Sequence, residues 1–116
     1  MLKTDHLIKK KICKILLNFF KKRGITIQKI ILFGSLAKGV QQEDSDIDLI
    51  VISKDFRKKG IFKKVSMTRG VNWELVKQTG KPVDVLYYSD IEWRRGQSPL
   101  LEAARTEGEM FFSHYD

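Results

Sequence analysis

The sequence predicts an α+β fold: a small mixed sheet of three to four strands flanked by helices. Three observations predict it. Residues 3–23 carry apolar side chains at helical spacing, interleaved with lysines. Three short segments rich in β-branched and aromatic residues, QKIILF, DIDLIVIS and PVDVLYY, read as strands. Residues 54–81 separate the second strand from the third, enough chain for the crossover that parallel neighbours need.

In chain order, Ile8, Ile12, Ile15, Leu16, Phe19 and Phe20 form the stripe of the first helix, and that stripe reads as core. Thr4 or Asp5 suits its cap, and Gly24 stands where a helix-ending glycine belongs. The strands at 28–33 and 46–53 do not alternate cleanly, so both are expected to be buried on two faces. Between them, the polar segment 34–45 has room for one helical turn at 35–38, stopped by Gly39. Residues 55–81 read as one broken helix or two, because Gly60, Gly70 and Gly80 oppose a long one. Pro82 opens the third strand, as a strand-starting proline can. Ser89 caps a helix over 90–95, and Ser98-Pro99 starts another that runs to about Thr106 and ends at Gly108. Glu102 suits the dipole of that last helix. Residues 109–112, EMFF, read as a short final strand. Trp73 is expected in the core, whereas Trp93, beside Arg94-Arg95, is a candidate interface residue.

The length of 116 residues fits a single domain over 1–116, with no repeat or linker to divide it. Net charge is +8, which favours anionic partners. The cations cluster in residues 1–24 and again at Lys54, Arg57, Lys58, Lys59, Lys63 and Lys64. Aromatic residues do not interleave with them as a single-strand stacking platform requires, so a solvated helix face and loop are favoured over a nucleic-acid groove. One cysteine, Cys13, excludes an intrachain disulfide and a cysteine metal site. His6 and His114 have no second ligand nearby in sequence. Neither a secretory leader nor a membrane-length apolar run is visible, so the expectation is a cytoplasmic protein without a membrane partner.

The chemistry concentrates in FGSLAKGVQQEDSDIDL, residues 33–49. Asp46 and Asp48 are two apart on a strand and share a face, and two facing carboxylates call for a cation such as Mg²⁺. On its own that pair reads better as the solvated end of a strand. Gly34-Ser35 changes the balance: glycine at a strand end lets a ligand approach the backbone, and a helical turn starting at Ser35 would aim free N–H groups at an anion. The spacing of Gly34 and Gly39 imitates a P-loop, but Val40-Gln41 stand where Lys and Ser or Thr are required, so that reading is rejected. An antiparallel pairing of the first two strands would bring Ser35 to Asp46 and Asp48. A parallel third strand would add Asp84, an unusual charge among Val83, Val85 and Leu86. Three carboxylates beside a phosphate cradle make a two-metal site for nucleotidyl or phosphoryl transfer, with Asp84 also placed to take a proton.

Gly34-Ser35, ten intervening residues and Asp46-x-Asp48, with Asp84 on a later strand, resemble the signature of the DNA polymerase β-type nucleotidyltransferases. The resemblance is to their minimal form, the MNT proteins, and spans roughly residues 28–112. It implies the polymerase β-type nucleotidyltransferase fold, catalytic and metal-binding Asp46, Asp48 and Asp84, two Mg²⁺ ions, and ATP as nucleotide substrate. Gly34, Ser35, Lys38, Gly39 and Ser45 become the nucleotide-binding candidates. It further implies an antitoxin that forms a hetero-oligomer with a small helical HEPN-type toxin and transfers AMP to a toxin tyrosine. The alternatives are an antitoxin that masks its partner by contact alone and a transferase for RNA or a small molecule. The loop departs from the family's arginine-rich form, reading GSLAKG, so Leu36 contributes no charge and Lys38 no bidentate fork. A chain this short also leaves little beyond its core to wall a base and an acceptor, which points again to a partner chain.

Overall fold

A computed structural model describes residues 3–33 and 47–113, with side chains from residue 7 onward. The helix α1 spans Lys3–Lys21 and is followed by β1 (Lys29–Phe33) and β2 (Ile47–Ile52). A 3-10 turn at Lys54–Phe56 leads to α2 (Ile61–Met67) and α3 (Val71–Thr79). The chain continues through β3 (Val83–Tyr88), α4 (Asp90–Arg95), α5 (Pro99–Glu107) and β4 (Glu109–Ser113). The strands form one mixed sheet in the order β3-β2-β1-β4. β2 runs antiparallel to β1 and parallel to β3, as expected from the sequence, and β4 closes the far edge antiparallel to β1.

Strand parity sorts the core into two layers. Ile30, Leu32, Leu49 and Val51 pack on one face against Ile12, Leu16 and Phe20 of α1 and Val71 and Leu75 of α3. Ile31, Ile50 and Ile52 pack on the other face against Trp93 of α4 and Leu101 and Ala104 of α5. β2 is therefore buried on both sides, which accounts for its apolar run from Leu49 to Ile52. No helix among the described residues is long and apolar enough to cross a membrane.

Local signals fix the helix ends. Gly24 takes φ +73°, while the N–H groups of Gly24 and Ile25 donate to the carbonyls of Lys21 and Phe20 at 3.1 and 3.0 Å. This is a Schellman ending, with Ile25 and Phe20 in the same core layer. Ser89 and Glu92 form a reciprocal capping box at α4, and Ser98 accepts from the Leu101 N–H at α5. The far end of α4 is satisfied from α5, where Arg105 donates to the carbonyls of Trp93 and Gly96 at 2.5 and 2.7 Å. Two expectations are corrected. The chain is already helical at Lys3, so Thr4 and Asp5 lie inside α1 rather than capping it. The tryptophans exchange roles: Trp73 is 72% exposed and Trp93 only 7%. Val71 and Leu75 set the buried side of α3, and position 73 falls opposite to it.

The turn after β2 is tied down by polar contacts. Fully buried Ser53 donates to the Thr26 carbonyl at 2.6 Å, and Asp55 accepts from the Thr26 N–H at 2.9 Å. Beyond it, Arg57 grips Asp90 with two parallel hydrogen bonds, Nε to Oδ1 at 2.7 Å and Nη2 to Oδ2 at 2.5 Å. The guanidinium holds the Asp90 carboxyl down at about 2. A depressed carboxyl contributes stability above its unfolded value and loses it as pH falls through the folded one. The pair should therefore add stability at neutral pH, a modest amount because it is partly solvated. That contribution should fade from just above pH 4 down towards 2. Denaturant titrations of wild type and Asp90→Asn across that interval check this: the two curves should converge at the acid end.

Gly108 makes a close approach between α5 and β1. A Cβ there would lie 2.5 Å from the Ala104 carbonyl oxygen and 2.7 Å from Ile31 Cγ2. The first contact is backbone and cannot swing away. Gly108→Ala is expected to cost about 1–3 kcal/mol by overpacking, read as a lower urea midpoint at unchanged slope.

Candidate active site

The site is built on the start of β2 and the start of β3. In the parallel ladder Asp48 stands in register with Asp84, and Phe33 stands opposite Asp48 across the antiparallel ladder. Neighbouring strands lie about 4.8 Å apart. Directly paired residues share a face, so the two carboxylates project together. By parity that face is the one bearing Ile50, Leu86 and Tyr88, under α4 and α5. Asp48 is half-buried and Asp84 exposed. Burial therefore falls off towards the sheet edge, and the pair opens to solvent from the β3 side.

Of the residues singled out from the sequence, the structure brings together Asp48 and Asp84. Gly34, Ser35, Lys38, Gly39, Ser45 and Asp46 lie outside the described residues. Asp84 is in place because the crossover through α2 and α3 returns the chain parallel to β2, which is what its sequence position required. Among the described residues no cluster of three His, Cys, Asp or Glu side chains stands ready to hold a metal. Two hard oxygen donors in register are half of a divalent-cation site and suit Mg²⁺, which is held by one or two carboxylates and completed by water and phosphate.

The basic residues are placed elsewhere. Lys11 and Lys14 of α1, with Lys22 and Arg23 just beyond its end, line a cleft of about 650 Å³ whose opposite wall includes Glu74 and Gln78 of α3. That cleft belongs to the layer on the other side of the sheet from Asp48 and Asp84. The positive charge of α1 therefore does not serve the carboxylate pair directly. Arg23 has a structural task there, stacking 4.2 Å from the Phe19 ring centre and donating to the Met67 carbonyl at 2.9 Å.

Sequence reasoning missed the exposure of α2. It set Ile61, Phe62 and Val65 on one broken helix or two without assigning what they face, and no residue of α2 is fully buried. The signal was the helix length: a short helix bracketed by Gly60 and Gly70 has few residues with which to reach the sheet.

A family model described as a nucleotidyltransferase domain matches residues 13–106. The chain belongs to that family. Solved structures carry the same fold. One is a toxin–antitoxin crystal structure with AMP-PNP, 22% identical at a TM-score of 0.59, covering 87% of this chain and 73% of that one. Another is a mutant MntA-HpeT toxin–antitoxin structure, 24% identical at 0.63, covering 90% and 73%. A third is a putative nucleotidyltransferase from Sulfolobus solfataricus, 16% identical at 0.57, covering 98% and 91%. No curated protein matches the chain.

Proposed function

We propose that this nucleotidyltransferase-family chain moves AMP from ATP to a partner protein in an Mg²⁺-dependent reaction, and that it is the antitoxin of a toxin–antitoxin pair. The observation that carries the reading is the in-register pairing of Asp48 with Asp84 on one face of the sheet. The proposed acceptor is a tyrosine of a small helical HEPN-type toxin, held in a hetero-oligomer. Two kinds of likeness support this. Similar structures are toxin–antitoxin assemblies, one of them with AMP-PNP. Another carries two aspartates, two positions apart, each changed to glutamate, and that is the spacing of Asp46 and Asp48.

In this reading Asp46, Asp48 and Asp84 hold two Mg²⁺ ions, which when bound neutralise phosphate charge and make the attacking hydroxyl more acidic. Gly34, Ser35, Gly39 and Ser45 bind the nucleotide phosphates, and Lys38 adds a point charge. The acceptor oxygen forms a bond to the α-phosphorus, the bond to the β-phosphate bridge breaks, and pyrophosphate leaves. Asp84, exposed on the edge strand, meets the acceptor from solvent and takes its proton. Half-buried Asp48 is the better-held of the described pair and orients the nucleotide end.

The test is to incubate the protein with ATP, Mg²⁺ and the small helical protein encoded beside it, and to weigh both chains. The partner is expected to gain the mass of AMP. No mass gain on the partner, together with no ATP binding, would sink the enzyme reading. The exposed apolar face of α2 favours contact as a second mode of neutralisation. An Asp48→Asn variant that neutralises the toxin as well as wild type does would select masking over transfer.

A further inference from the structure

α2 is a helix whose apolar side is covered by none of the described residues. Ile61, Phe62 and Val65 are 74, 88 and 57% exposed, and one helical turn brings them to a single face. Scattered single apolar side chains are ordinary on a surface, but three adjoining ones on a helix that buries none are not. α2 is held to the body at its end by Met67, which packs partly buried against the core, and by polar ties. Lys64 donates to the Tyr87 carbonyl at 3.0 Å and to Glu92 at 2.9 Å. Between α2 and β3 lies a groove of about 540 Å³, walled by Ile61 and Val65 and floored by Val85, Leu86 and Tyr88.

Charge and topology narrow the occupant. An added strand is disfavoured, because two outward carbonyls of edge strand β3 already accept from side chains: Asn72 donates to Val83 and Lys64 to Tyr87, at 3.1 and 3.0 Å. A second copy is disfavoured. Lys59 lines the groove, Lys58 precedes it and Lys63 lies on α2 itself, and among the described residues none of the three is in an ion pair. A two-fold contact would set these lysines against themselves. What fits is a surface apolar along its centre and negative along its rim.

We propose that the exposed side of α2, together with the α2–β3 groove beside it, docks an amphipathic helix of a partner protein, its apolar face seated on Ile61, Phe62 and Val65 and its acidic flank on Lys59 and Lys63. This rests on the reading above that the chain works on a protein partner, and it names the surface. The floor of the groove starts at Val85, next to Asp84, so a partner seated there lies along the strand that carries a site carboxylate.

The experiment measures binding and AMP transfer separately, using the small helical protein encoded beside this chain. Phe62→Glu, at a side chain that supports no core, is expected to keep the wild-type melting temperature and weaken binding by at least about 30-fold, as at a hot spot. Lys59→Glu with Lys63→Glu is expected to weaken it by about 10-fold and to flatten its salt dependence. Undiminished binding by Phe62→Glu overturns the surface and leaves the transfer reading standing. Binding that needs Phe62 in a complex that transfers no AMP upholds the surface and overturns the transfer reading. A wild-type dimer that Phe62→Glu dissociates assigns the groove to a second copy and overturns the proposal. No binding by wild type overturns both readings.

Discussion

Asp48→Asn and Asp84→Asn are each expected to slow nucleotide transfer by about 10³-fold or more, which is ~4 kcal/mol of lost transition-state stabilisation. The amide keeps the volume of the carboxylate and one of its acceptors, so the loss isolates charge. Folding should not suffer at Asp84. It is exposed, and it stands in register with a second carboxylate on the neighbouring strand. Like charges directly opposite each other destabilise a sheet by up to ~1 kcal/mol. In EDTA, Asp84→Asn should therefore melt at or slightly above the wild-type temperature. With Mg²⁺ the order should reverse, because an ion bound only by the folded wild type raises its stability by mass action. Transfer rates at saturating ATP and melting curves with and without Mg²⁺ check both halves. A variant that transfers AMP at the wild-type rate removes its carboxylate from the site. A wild type whose melting is indifferent to Mg²⁺ removes the ion from the pair.

This site was legible in the sequence to the extent that it follows from strand parity and connection length. Asp84 could be placed beside Asp48 because two apolar strands separated by a long crossover run parallel, and because a carboxylate amid valines needs a reason. The caps were legible for a simpler cause. Ser89, Ser98 and Gly24 act on backbone within a few residues of themselves, and their sequence neighbours are their structural neighbours. What stayed hidden depends on distant chain. Trp73 and Trp93 look alike in sequence, and what separates them is which side of a short helix the sheet covers. Arg105 satisfies the end of α4 from α5, a pairing with no local signature. Which apolar residues of α2 meet the core was not legible either: Met67 packs against it, while Ile61, Phe62 and Val65 stay exposed. The glycine-rich half of the motif, from Gly34 to Asp46, lies outside the described residues, so its phosphate-binding role stays a proposal carried by spacing and resemblance.

Phe56→Ala is expected to be the most damaging single substitution to stability outside the strands. Phe56 is fully buried where the turn after β2 folds back on α1. Its ring lies 5.5 Å from Tyr87 and 6.5 Å from Phe20, and those two lie 6.0 Å from each other, all edge to face. The three rings join α1, the β2 exit and β3, which are elements distant in sequence that hold the carboxylate strands in register. Truncating a buried phenylalanine costs about 3–5 kcal/mol, the cavity included. Domains of this kind hold about 5–15 kcal/mol in all, so about a fifth or more is lost, and the melting temperature should fall by roughly 10–25 °C. Phe62→Ala is the control. Phe62 is 88% exposed, and its truncation should change stability by no more than about 0.5 kcal/mol. Urea titrations of the two variants make the comparison. Similar costs at both positions would mean that α2 is packed against the body after all, which would remove the exposed face from the surface. Widely different costs would show that two phenylalanines six residues apart have separate tasks, one holding the fold together and the other free for a partner.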